Sequence, residues 1–290
     1  MSTTHLAGVI PIRKNDFSYK FEWPDSMMPV AENLTAIERS VMECAYAGCK
    51  TIWIVCNDDV SPLIRHRIGD YVQDPVWLRP LDPEPYKTRR PIPIYYVPIN
   101  PKHRDKIDSY GWGILYGALS AFKITARFSN HLATNRYYVS FPYSVYDPSI
   151  IREYRNQIRS DVGFFLQHDN KTIKDGEMLG FTFGKEDFVR FRRNIKKETT
   201  GFYKPFDDFY GPKEPLPAKE RYSGRFFTLD KVFGTVNINE GNVLDLPWRY
   251  DISNWKGYTS YIGSEYQETI KRPSKLFLSY RELPTIGVDK

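Results

Sequence analysis

Long apolar runs are missing from this 290-residue chain, and no stretch approaches the roughly 20 consecutive apolar residues that a membrane-spanning helix needs. The start, Met1-Ser2-Thr3-Thr4-His5, has no basic stretch leading into an apolar one. No secretory leader is therefore expected; the expected setting is the cytoplasm, with no membrane partner. Cysteine is scarce: Cys44, Cys49 and Cys56 all lie in one short apolar segment. Three thiols without metal spacing make neither a complete disulfide set nor a zinc site, and they read as buried residues in a reducing compartment. His5, His66, His103, His131 and His168 are scattered, with no two on one helical face at ligand spacing, which argues against zinc from that side too. Ser140 and Ser144 lack the context of a nucleophile elbow, so a hydrolase triad has no support. Internal repeats and low-complexity tracts are absent as well. No charge sign dominates strongly, since 41 Lys and Arg stand against 35 Asp and Glu for a net of +6.

What is present is an ordinary globular composition, 41% hydrophobic and 26% charged, long enough for a sizeable core. Aromatics are abundant at 16%, with 21 Tyr beside 21 Pro, which gives many stacking faces and few long uninterrupted helices.

The order of elements is informative. Residues 6–12 (LAGVIPI) read as a buried strand. Residues 33–48 place Leu34, Ile37, Val41, Cys44 and Ala45 at helical spacing, with Asn33 as cap and Gly48 as stop. Residues 51–56 (TIWIVC) are apolar and β-branched throughout, as a strand buried on both faces would be. A helix is expected over 62–71, a loop over 74–90, and a proline-interrupted strand near a sheet edge over 92–98. A glycine-containing helix over 110–122, a fourth strand over 136–141, and a helix from Asp147-Pro148 to Arg159 follow. Strands separated by helices predict an α/β fold: a doubly wound, mostly parallel central sheet with helices on both faces. Beyond Val162 come short strands (162–167 and 177–183), a basic helix near 185–197, a helix near 226–236, and a strand, turn and helix over 246–262. These form a smaller β-containing addition. Residues 199–225 are rich in proline and aromatics and read as a long insertion within one domain spanning 1–290.

IPIRKNDFSYKFEWPDSMMPVAENLTAIERSVMECAYAGCKTIWIVCND resembles the opening of the sugar nucleotidyltransferases, the nucleotide-sugar pyrophosphorylase-like family. Pro24, Met27, Met28, Pro29, Val30, Ala47, Gly48 and the strand Thr51 to Val55 stand where that pattern has them. GWGILYGALSAF (111–122) resembles the family's segment at base and sugar, and LPWRYDISNWKGYTSYI (246–262) its late strand with an aromatic and an Asp. The resemblance implies a nucleotide-diphospho-sugar transferase-like fold. It also implies transfer of a nucleoside monophosphate from a nucleoside triphosphate to a sugar phosphate, with magnesium, in a cleft lined by residues 12–17, 111–117 and the end of the fourth strand. Carried over, the phosphate cations would be Arg13 and Lys14, the nucleotide contacts Ile12, Gly111 and Gly113, and the metal ligand Asp251.

The chain departs from the pattern where the chemistry is densest. The Gly-rich loop, which lets backbone N–H groups reach a triphosphate, is Arg13-Lys14-Asn15-Asp16-Phe17 here. The lysine after the proline is Asp25. The first metal-binding Asp falls near Ser140, Phe141 and Pro142, none of which binds magnesium as a carboxylate would. Asp251 alone matches, with Asp147 as a conceivable second ligand. Catalysis is therefore expected to be altered or degenerate.

The competing reading is a noncatalytic scaffold. The helix KEDFVRFRRNIKK carries Arg190, Arg192, Arg193, Lys196 and Lys197, and Phe202, Tyr203, Phe206, Phe209 and Tyr210 follow. Cations beside aromatics suit single-stranded nucleic acid or a docked protein partner. The pairs Asp58-Asp59 and Asp207-Asp208 read as a helix start and a solvated loop rather than as cation sites.

Overall fold

The computed structural model describes residues 5–12, 23–76, 91–99, 110–128, 133–198, 202–203, 214–215 and 228–273. The strands are β1 (Leu6–Pro11), β2 (Pro29–Ala31), β3 (Leu34–Thr35), β4 (Thr51–Asn57), β5 (Tyr71–Gln73), β6 (Pro91–Ile99) and β7 (Arg136–Val139). They continue with β8 (Ser144–Val145), β9 (Phe164–Gln167), β10 (Phe181–Gly184), β11 (Phe202–Tyr203), β12 (Glu214–Pro215), β13 (Asn242–Asp245) and β14 (Tyr250–Asp251). The helices are α1 (Ala36–Ala47), α2 (Ser61–Ile68), α3 (Tyr110–Phe128), α4 (Arg155–Ile158), α5 (Lys185–Glu198), α6 (Leu229–Phe233) and α7 (Trp255–Ile262).

Eight strands form the central sheet in the order β13-β9-β10-β7-β1-β4-β6-β5. β7, β1, β4 and β6 run parallel, β13 is parallel to β9, and β5 and β10 are antiparallel to their neighbours. The expected mostly parallel sheet covered on both faces is the one observed, and the alternation of side chains shows why. Leu6 and Ile10 of β1, with Ile52, Ile54 and Cys56 of β4, point into one core with α1. Ala7, Val9, Trp53 and Val55 point into the other with α3, α5 and α6. Strands buried on both faces read as continuous apolar text for this reason. α3 lies close to the sheet because Gly117 has no side chain: a Cβ there would stand 2.7 Å from Val55 Cγ2 and 2.8 Å from Val9 Cγ1.

Several boundaries differ from the sequence reading. α1 is capped by Thr35, not Asn33: the Thr35 hydroxyl accepts from Glu38 N–H and the Glu38 carboxylate accepts from Thr35 N–H, a reciprocal capping box. Asn33 sits instead at φ 54° between β2 and β3. Gly48 ends α1 in the left-handed region, φ 84°, as expected. α2 stops at Ile68, and Tyr71 begins β5, which takes the sheet edge and leaves β6 internal. The helix expected from Pro148 to Arg159 is broken into a 3-10 turn, Pro148–Arg152, and the single-turn α4. Strand β10 begins only at Phe181, and α6 is limited to Leu229–Phe233.

Candidate nucleotide cleft

In an open α/β sheet a ligand sits beyond the carboxyl ends of the parallel strands. Here those ends are Pro11 of β1, Asn57 of β4, Ile99 of β6 and Val139 of β7. Ile12 is buried just past β1, its N–H donating to Val55 O at 2.8 Å. Arg13 and Lys14 lie outside the described residues. The start of α3 spans two of the strand ends: Tyr110 meets Phe141 edge-on at 6.0 Å, and Gly113 leaves only 3.4 Å between its would-be Cβ and Pro11. Gly111 and Gly113 are both buried. Asp58 and Asp59 form the exposed turn after β4.

The end of β7 carries a feature the sequence reading missed. Ser140 Oγ donates to Glu43 Oε2 at 2.7 Å, and Tyr138 OH donates to Glu43 Oε1 at 2.7 Å. Arg39 Nη1 stands 3.0 Å from Glu43 Oε2, and Arg39 Nη2 donates to Phe141 O at 2.8 Å and to Ser40 Oγ at 3.1 Å. The Arg39 guanidinium also lies 4.8 Å from the centre of the Tyr146 ring. Both members of the ion pair are fully buried. Burial alone would pull the Arg39 guanidinium down, but Glu43 and Tyr146 hold it above its ordinary value. Burial, reinforced by Glu43, pushes the Tyr138 hydroxyl well up, which keeps it a donor. Where the resemblance calls for a metal carboxylate facing the cleft, the chain has a hydroxyl turned onto an internally neutralised pair. The available signal was the i, i+4 opposite-charge spacing Arg39/Glu43, which a solvent-facing pair shares.

Asp251 lies on β14, paired with Ser144 of β8, and the next residue's N–H donates to Tyr143 O at 2.9 Å. The structure thus carries the late strand back alongside the segment that follows Ser140. Arg249 fastens it, with Nε on Ser144 Oγ at 2.9 Å and Nη1 on Glu177 Oε2 at 2.8 Å. Asp251 Oδ1 accepts from Ser253 N–H at 2.9 Å. Asp147 is committed to its own turn, taking Ser149 N–H at 2.9 Å and Ser149 Oγ at 2.7 Å. Among the described residues no group of three or more His, Cys, Asp or Glu side chains could hold a metal ion. These residues do not by themselves fit magnesium.

Asp25 follows Pro24 in a 3-10 turn, 1% exposed, and neither its Oδ2 nor the neighbouring Ser26 Oγ has a hydrogen-bond partner among the described residues. Burial raises its carboxyl above the usual range. A folded-state pKa above the unfolded one means a stability contribution that falls as pH rises through the folded value. Asp25→Asn is therefore expected to raise the melting temperature at pH 7, by a margin that shrinks as pH falls and the wild-type carboxyl takes up its proton. Thermal melts of both proteins from pH 7 down into the acid range read this directly.

The basic helix α5 is amphipathic: Phe191 and Ile195 are buried in the core, while Val189, Arg190, Arg192 and Arg193 are exposed. Arg190 pairs with Asp187 at 2.5 Å. The backbone at Lys196 and Lys197 is helical, and Phe202 and Tyr203 form β11, which pairs with β12. The remainder of the insertion at 199–225, with Asp207 and Asp208, lies outside the described residues.

No protein-family model and no curated protein sequence matches the chain. Solved structures do match in shape. A protein from Bacillus anthracis assigned as a glucose-1-phosphate thymidylyltransferase, solved with sucrose, superposes with a TM-score of 0.55 at 7% identity, covering 93% of this chain and 98% of its own. The fold is that of the sugar nucleotidyltransferases. A UDP-glucose pyrophosphorylase solved with UDP-glucose gives 0.49 at 11% identity over 90% of this chain and 98% of its own. Rv0371c from Mycobacterium tuberculosis H37Rv, solved with manganese, gives 0.46 at 12% over 90% and 100%. No described helix is long and apolar enough to cross a membrane.

Proposed function

We propose that the chain binds a nucleotide or nucleotide sugar at the carboxyl ends of β1, β4, β6 and β7, with nucleotidyl transfer altered or lost. The observation that carries this is Ser140: its hydroxyl is spent on Glu43, so β7 ends without a carboxylate for the cleft. Asp251 is then the only carboxylate of the expected metal pair. Arg13 and Lys14 would meet the phosphates as side-chain cations in place of backbone amides, and Ile12, Gly111 and Gly113 would lie against the nucleotide. A transferase must neutralise phosphate charge while the sugar phosphate attacks in line. Losing one of two metal carboxylates and reversing the lysine charge at Asp25 removes several kcal/mol of that stabilisation, enough to lower the rate by orders of magnitude.

Thermal unfolding with a panel of nucleoside triphosphates and nucleotide sugars, with and without magnesium or manganese, tests the reading. At 100 times its dissociation constant a bound member adds about 2.7 kcal/mol, and pyrophosphate release is expected to be as low in wild type as in Asp251→Ala. Metal-dependent release in wild type that vanishes in Asp251→Ala would instead restore a working transferase. If no member stabilises the protein, the second reading takes over. That reading is a scaffold docking single-stranded nucleic acid or a protein through α5, favoured by the exposure of Val189, Arg192 and Arg193 on one outer face.

A further inference from the structure

Arg136 begins β7, in register with Leu6 at the start of β1 and with Gly184 at the end of antiparallel β10. It therefore stands at the amino end of the parallel strands, a full strand length from the cleft. A cavity of about 720 Å3 opens there, lined by Arg136, by the first turn of α5 and by the loops at 161–163 and 236–240. Its size is that of an ordinary small-molecule site.

The cavity is unusual in its charges. Arg136 is 6% exposed, and three of its contacts are internal: Nε to Ile158 O at 3.2 Å, Nη2 to Thr182 Oγ1 at 2.8 Å, and Nη2 to Val162 O. No carboxylate among the described residues pairs with it at ion-pair distance. Burial lowers the Arg136 guanidinium, opposed only through space by Asp161 and Asp187. Asp187 is already engaged, taking Gly184 N–H at 3.2 Å and Arg190 at 2.5 Å. Lys185, which also lines the cavity, has its Nζ over the Phe122 ring at 5.5 Å. What is left is a buried cationic donor on the floor and the exposed carboxylates of Asp161, Glu186 and Glu240 on the rim, none with an ion-pair partner among the described residues. Phe165 and Val236 supply apolar wall between them.

A phosphate or a nucleotide would meet the floor donor but would face three carboxylates. A simple amine would satisfy the rim and leave the buried guanidinium without a countercharge, which is the costlier omission. We infer that this cavity is a second ligand site, taking a small zwitterion of the amino-acid class with its carboxylate on Arg136 and its ammonium among Asp161, Glu186 and Glu240. The inference is independent of what the cleft binds.

The test is thermal unfolding and calorimetry with L-phenylalanine and L-lysine, against 3-phenylpropanoate (carboxylate only), phenethylamine (ammonium only) and inorganic phosphate. The amino acids are expected to raise the melting temperature by about 2 °C or more at millimolar concentration, and the single-charge probes and phosphate to leave it unmoved. Because Arg136 also ties down backbone, the diagnostic variant is the rim pair Asp161→Asn with Glu240→Gln. It should weaken amino-acid binding about tenfold while any nucleotide-induced stabilisation stays as in wild type. The assignment is overturned by any one of three results: no amino acid binds, phosphate or 3-phenylpropanoate binds as well as the amino acids, or the rim variant binds them unchanged.

Discussion

Arg39→Met is expected to lower the unfolding free energy by about 3–5 kcal/mol, measured by urea denaturation, because it leaves the Glu43 carboxylate buried without a countercharge. The size of the effect follows from the site. Arg39 and Glu43 are fully buried, so removing the cation brings no water in to replace it. The loss also strips the donor from Phe141 O, at the point where β7 turns toward β8. Adding Glu43→Gln should recover about half of the loss, since the amide oxygen can still accept from Tyr138 or Ser140 without carrying charge. A double variant no more stable than Arg39→Met alone would show that packing, not the unpaired charge, dominates.

Ser140→Asp, the change that would return a carboxylate to the end of β7, is expected to destabilise the protein by about 3 kcal/mol or more at pH 7. The wild-type hydroxyl sits 2.7 Å from Glu43 Oε2, so the new carboxylate would meet a like charge in a dry interior. The two would share a proton, placing the variant's folded-state pKa above its unfolded value. The stability of the variant is then lost as pH rises and regained as pH falls, the reverse of an ordinary ion-paired carboxylate. Unfolding curves at pH 5 and pH 8 read the difference, and combining the change with Glu43→Gln should remove most of it. An equal cost at both pH values would mean steric overpacking instead. A carboxylate at this position would need a compensating change on α1, because Glu43 accepts from the wild-type hydroxyl.

Much of the sheet was legible because β1 and the stretch Ile52 to Cys56 of β4 are without polar side chains, a pattern that a strand buried on both faces dictates. α1 was legible in extent and misleading in surroundings. Ile37, Val41, Cys44 and Ala45 mark one apolar stripe, which assigns Arg39, Ser40 and Glu43 to solvent, yet these three are also fully buried. Periodicity reports the greasy side of a helix and says nothing of what covers the other, so a polar core cluster and a wet face spell the same text. The Thr35-to-Glu38 spacing was a readable capping signal, outweighed in the sequence reading by Asn33. The break between Arg152 and Arg155 has no proline or glycine to announce it. Of the candidate cleft, the glycines of α3 and the return of Asp251 toward the end of β7 could be anticipated from order along the chain. The Ser140–Glu43 contact joins residues 97 apart, and no local pattern carries that.

Glu38 has a consequence for how the chain is made. Its buried carboxylate is met by Arg67 Nε at 3.2 Å and by Arg272 Nη2 at 3.4 Å, and α7 is hung on β2 by Tyr261 OH donating to Val30 O at 2.5 Å. The first helix therefore completes its set of charges only with a residue translated more than 230 positions later. During synthesis the early strands have emerged long before that arginine, so the nascent domain waits with an undercompensated acid at its first helix. Its final closure belongs to the arrival of Arg272 rather than to the folding of its first half.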